Sequence, residues 1–262
     1  MKKTISSPIL ISLILLEINS ASLIAQDISS KYFTMKLSDW ARVDSSKTKY
    51  TPSAILDEAD TYYKEINQYL FHIDPIELDR KIAVSIVPRG QVGGSNWAQN
   101  RHIYINAGNV ETGFLPLAHE ITHTILCCSS LQGYSEGLAD YFQNMFTPYD
   151  KQYFFYKGNS HQKLKVLWTH YSDENNVSQI IGGYLHNGIY TEAESLVKYL
   201  IDRFGVDIFI QYFNGGGYKS YVEVFGVSEE QIQKEWTAFV MQQEPDQNWT
   251  KNWNEIDMVI NY

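Results

Sequence analysis

The stretch LAHEITHTIL, residues 117–126, carries His119 and His123 four positions apart, with Glu120 directly after the first histidine. On a helix this spacing puts both imidazoles on one face, one turn apart, close enough for both to bind one ion. Neutral imidazole nitrogens suit a single Zn²⁺, and Glu120 would point toward the open position of that metal. There it would take a proton from a zinc-bound water and return it to a leaving amine. On this pattern alone, an ordinary helix with two hydrogen-bonded histidines remains the competing reading.

A catalytic zinc needs a third protein ligand and an open fourth position. The next segment, YSEGLADYF, offers Glu136 near the expected start of a second helix, with Ser135 as its expected cap. Asp140 follows one turn later on the same face, where its carboxylate could accept a hydrogen bond from the outer nitrogen of a zinc histidine. One helix would then carry two ligands, and the next would carry a carboxylate ligand and its support.

HEITH followed by SEGLADY resembles the gluzincin metallopeptidases, the group that includes thermolysin, and in particular the small peptidase MA-like domains. The resemblance implies an α+β, zincin-like fold in which His119, His123 and Glu136 hold zinc, Glu120 is the general base and Asp140 orients a ligand histidine. It implies hydrolysis of a peptide bond by a zinc-bound water that Glu120 activates. A homologue that binds zinc and a peptide or protein partner without turnover is the alternative. Such enzymes also supply a Tyr or His to steady the oxyanion of the tetrahedral intermediate; Tyr190 is the first candidate and His186 the second. The likeness is strongest over residues 117–142 and extends loosely over about 50–242.

Several elements must position these groups. Thr51 and Pro52 signal a helix start before SAILDEADTYYKEINQYLF, an amphipathic run. KIAVSIV (81–87) and HIYINAG (102–108) read as two strands, expected to be antiparallel, with the second at the sheet edge beside the cleft. The loop between them, 90–100, has three glycines and Trp97 and could overhang the cleft. The motif helix is expected from about Pro116 to Cys128. KLKVLWTHY, TEAESLVKYLIDRF closed by Gly205, VDIFIQYF, and SEEQIQKEWTAFVMQQ capped by Ser228 read as helices. The expected architecture is a small antiparallel or mixed sheet in the N-terminal half, a mostly helical C-terminal half, and the active-site helix at their junction.

Residues 1–25 begin with Lys2 and Lys3, continue through an apolar run and end in small residues, the layout of a secretory signal peptide. Cleavage there would leave 19 basic and 29 acidic residues, a charge of −10, which disfavours nucleic acid as a partner. No later stretch is apolar enough for stable membrane insertion, and no cysteine lies near the cleavage region to carry a lipid. The expected location is therefore secreted or periplasmic. Residues 26–50 read as a lead-in, 51–243 as the metallopeptidase domain and 244–262 as a tail without clear period. Cys127 and Cys128 are adjacent, so they cannot join distant parts of the chain; buried packing is their expected role. His72, His102, His161 and His170 show no ligand spacing and read as structural or surface residues. The oligomeric state and the substrate's side-chain preference leave no trace in these patterns.

Overall fold

The computed structural model describes residues 26–76, 78–89, 97–99, 101–126, 131–147, 158–171 and 187–261. The expected signal peptide, the two cysteines, His186 and most of the 90–100 loop lie outside the described residues. Strands β1 (Asp27–Ser29) and β2 (Phe33–Lys36) come first, and the short helix α1 (Leu37–Trp40) follows. Helix α2 (Pro52–Phe71) begins as its residues demand: Pro52 occupies the first turn and Thr51 accepts a hydrogen bond from the Ala54 amide. It ends at His72, whose φ of 55° turns the chain out of the helix.

Strands β3 (Ile82–Val87), β4 (Trp97–Gln99) and β5 (His102–Asn106) complete a five-stranded sheet in the order β1-β2-β3-β5-β4. The expectation of an antiparallel β3 and β5 is corrected here: Ala83 pairs with His102 and Val87 with Asn106 in parallel register. The segment between Val87 and His102 is long enough for the crossover that a parallel pair requires, about a dozen residues. β4 takes the antiparallel place beside β5, so β4 and not β5 is the sheet edge. The residues read as a lead-in contribute β2, which runs parallel to β3, and β1 at the opposite edge. Phe33, Met35, Ile82, Val84, Ile86, Ile103 and Ile105 alternate onto one buried face. Helices α2 and α4 (Leu117–Ile125) pack on each other, with α2 also on β2 and α4 also on β5.

Helix α3 (Ala107–Thr112) links β5 to α4, and its cap is Asn106, which accepts from the Gly108 amide at 2.8 Å. Beyond α4 the described chain is helical: α5 (Gln132–Phe146), α6 (Ser160–His170), α7 (Asn187–Phe204), α8 (Val206–Asn214), α9 (Tyr221–Phe225), α10 (Glu229–Met241), α11 (Gln247–Lys251) and α12 (Trp253–Asn261). Helix α5 lies between α4 and α7. It meets α7 so closely that a Cβ on Gly137 would stand 2.4 Å from the Ala193 carbonyl oxygen, and only glycine permits that approach. Ser228 caps α10 as expected. The tail is ordered into α11 and α12: Asp246 accepts from the Trp249 amide, and the Trp249 ring is buried in the core. Among the described residues, no helix is long and apolar enough to cross a membrane.

Candidate metal centre

Helix α4 starts at Pro116 without a capping side chain of its own. Its orphaned first-turn donor is satisfied from the neighbouring helix instead: the His119 amide donates to Gln143 Oε1 over 3.1 Å. The Gln143 amide nitrogen in turn donates to the Leu115 carbonyl (3.3 Å) and to Thr147 Oγ1 (2.8 Å). One buried side chain therefore joins the start of α4 to α5. Sequence reasoning missed Gln143; its only local signal is that it lies on the Asp140 face of α5, one turn on.

The four-residue spacing works as geometry predicts. His119 and His123 direct their Nε2 atoms to one point, 3.1 Å apart. Glu136 Oε2 completes a triangle, 3.3 Å from the first nitrogen and 3.4 Å from the second. Donors about 2.0–2.1 Å from a tetrahedral zinc stand roughly 3.3–3.4 Å from one another. The three atoms thus have the separation of three corners of such a site, and this trio could hold a metal ion.

The remaining ring nitrogens of both histidines face side chains of α5. His119 Nδ1 lies 2.8 Å from Asp140 Oδ1, so Nδ1 donates to that carboxylate and Nε2 is the nitrogen that faces Glu136 and would ligate a metal ion. His123 Nδ1 lies 3.2 Å from the hydroxyl oxygen of Ser135. Here a second expectation is corrected: Ser135 does not cap α5, which starts one turn earlier at Gln132 with no side-chain cap. Its hydroxyl faces the imidazole of α4 rather than a backbone amide of its own helix.

No protein-family model matches this chain, and no curated protein and no solved structure matches it.

Charge at the trio is arranged to favour a cation. Burial alone would lift the Glu136 carboxyl, but hydrogen bonds from His119 and His123 outweigh it and hold the group well below the ordinary carboxylate range. Burial likewise disfavours a charged His119, yet Asp140 and Glu136 reverse the balance and push its imidazole well above its usual value when only protons compete for the site. A metal ion would replace that proton on Nε2.

Glu120 is 3% exposed, and its Oε2 has no hydrogen-bond partner among the described residues. A buried carboxylate oxygen without a partner is costly, so it marks a place where something else is meant to bind. Burial pushes this carboxyl up, His119 and His123 pull it down, and Glu136 and Asp140 push it up again; the net direction is upward. The donor set fits a divalent metal ion, and the orphaned oxygen belongs to the residue next to one of its donors.

Tyr190 lies half-buried in the first turn of α7. Burial first, then the charges of Glu136, Asp140 and Glu120, push its phenol up, so it remains a donor throughout the neutral range. Tyr190 stands one turn before Ala193, which packs on Gly137, the neighbour of Glu136. The four other histidines described here stand apart from the trio. His102 stacks on Tyr104 and reaches Ser85, His161 is buried against Ser195, His72 pairs with Asp207, and His170 stacks on Trp253.

Proposed function

We propose that the protein is an exported zinc-dependent peptidase of gluzincin type with a zincin-like fold. The observation that carries this reading is the convergence of His119, His123 and Glu136 on one point beside the buried, unpartnered oxygen of Glu120. Zinc held there would polarise a peptide carbonyl and make a bound water acidic enough to attack it. Glu120 would accept the proton released in that attack and pass it to the departing amine, a role for which its raised pKa suits it. Asp140 would keep His119 in the ligating tautomer, and the Ser135 hydroxyl would steady the orientation of the His123 ring. Tyr190, protonated and close to the site's carboxylates, would donate to the carbonyl oxygen as negative charge develops. A protein that only holds zinc and a peptide has no use for a buried carboxylate kept without a partner.

The test is hydrolysis of an unbiased peptide mixture by zinc-loaded protein and by its Glu120→Gln variant. The variant should keep its zinc and lose about 10²- to 10⁴-fold in rate. Equal rates for the two proteins would remove Glu120 from the chemistry.

A further inference from the structure

Behind the site, three side chains from three helices form a polar cluster that the proposed chemistry does not use. Lys163 of α6 and Glu194 of α7 have side chains only 1% and 3% exposed, with Nζ 3.2 Å from Oε2. Asn144 of α5 donates to the other carboxylate oxygen over 2.6 Å. The Trp249 ring closes the far side, 5.8 Å from the ammonium. Desolvating two ions offsets most of their mutual attraction, so such a pair is a weak source of stability. Its location offers a better account of it.

Asn144 follows Asp140 by one turn of α5, and Glu194 follows Tyr190 by one turn of α7. The Asn144–Glu194 bond therefore ties the two helices one turn away from the residues that face the trio. On the other side of Asp140, Gly137 lies against the backbone of Ala193. That close approach sets the spacing of the two helices at one point, with Ala193 seated in the gap that the glycine leaves. The Asn144–Glu194 bond is a second, directional point of attachment two turns further along α5, and two points fix the register of one helix on the other.

We propose that Lys163, Glu194 and Asn144 are positioning residues that fix the register of α7 on α5 and so hold the turn of α7 that carries Tyr190 beside the turn of α5 that carries Glu136 and Asp140. The proposal rests on the zinc reading above. Lys163 has a defined part in it: burial pushes the Glu194 carboxyl up, and the Lys163 ammonium and the Asn144 amide, one on each carboxylate oxygen, pull against that and orient the group between α5 and α6.

The test uses the variant Lys163→Met/Glu194→Leu, which removes both ions of the buried pair together. Exchanging a buried ion pair for apolar residues commonly leaves stability unchanged or raises it. Parent and variant each carry 3-fluorotyrosine at position 190 and are loaded with cobalt(II). The fluorine's paramagnetic relaxation falls steeply with its distance from the metal and needs no assay of activity. The variant should bind as much cobalt as the parent and lose most of the relaxation enhancement. Unchanged enhancement overturns the proposal, and so does loss of cobalt, which would assign the pair to holding the metal ligands. If the double variant does not fold, Asn144→Ala cuts the α5 half of the tie and must lower the same signal. A parent that takes up no cobalt overturns the metal reading and this proposal with it. On peptide substrate, the double variant should lower kcat about 10²-fold at nearly constant KM. It should add little further loss to Tyr190→Phe; independent, additive losses would contradict the proposal.

Discussion

Replacing Asp140 by Asn should weaken zinc binding without dismantling the site. The side chain is 3% exposed, and its Oδ1 accepts from His119 Nδ1 at 2.8 Å, a short hydrogen bond to a buried carboxylate. Asparagine has the same shape and can still accept through its amide oxygen, so the ligating tautomer survives and the negative charge is lost. A hydrogen bond to a charged group contributes about 1.5–3 kcal/mol, and about 1.4 kcal/mol is a factor of ten in affinity. The expected loss is therefore roughly tenfold to a hundredfold, the range found for carboxylates that support metal histidines. Asp140→Ala should lose more, because it also leaves a buried Nδ1–H without an acceptor. Competition with a chromophoric chelator at neutral pH measures all three proteins. An Asp140→Asn protein within about twofold of the parent would refute the assignment, since the carboxylate would then not be acting through His119.

Gln143→Leu should destabilise the protein by about 1–3 kcal/mol in denaturant titration, because the His119 amide and the Leu115 carbonyl both lose their partner inside the fold. Gly137→Ala should also destabilise it, by about 1–3 kcal/mol, since the added methyl would sit 2.4 Å from the Ala193 oxygen; a gain in unfolding midpoint, as helix propensity alone predicts, would show that α7 yields freely. The metal-free protein should gain most from its site between pH 4.5 and 6.5, the ordinary values of Glu and His. The lowered Glu136 contributes stability that is lost as pH falls below that window, and the raised His119 contributes stability that is lost as pH climbs above it. Zinc should therefore raise the thermal midpoint increasingly as pH rises above 6.5, and a zinc effect that shrinks over that range would contradict the charge balance described for the trio.

The parts of the site that could be read from residues alone are those governed by helix periodicity. His123 follows His119 by one turn, and Asp140 follows Glu136 by one turn, so a 3.6-residue repeat places each pair on one face before any packing is known. The caps at Thr51 and Ser228 are equally local, each a side chain reaching its own first turn. The failures are all long-range. Whether β3 and β5 run parallel depends on where the three-residue β4 inserts, and nothing within either strand records that. Ser135 has the composition of a cap, but its hydroxyl faces an imidazole of another helix. Gln143 and the Lys163–Glu194 pair escape the reading for the same reason: their partners lie on neighbouring helices. The tail reads as aperiodic because its two helices are short, each with a side chain buried in the core, Trp249 in α11 and Ile256 in α12.

The central claim is that His119, His123 and Glu136 together bind one zinc ion. Elemental analysis of purified protein, parent beside His123→Ala and Glu136→Ala, tests it most directly. The account predicts about one zinc per chain in the parent and strong loss in both variants, as removal of any one of three protein ligands should produce. A parent that stays metal-free after zinc is offered, or variants that keep their zinc, would contradict it.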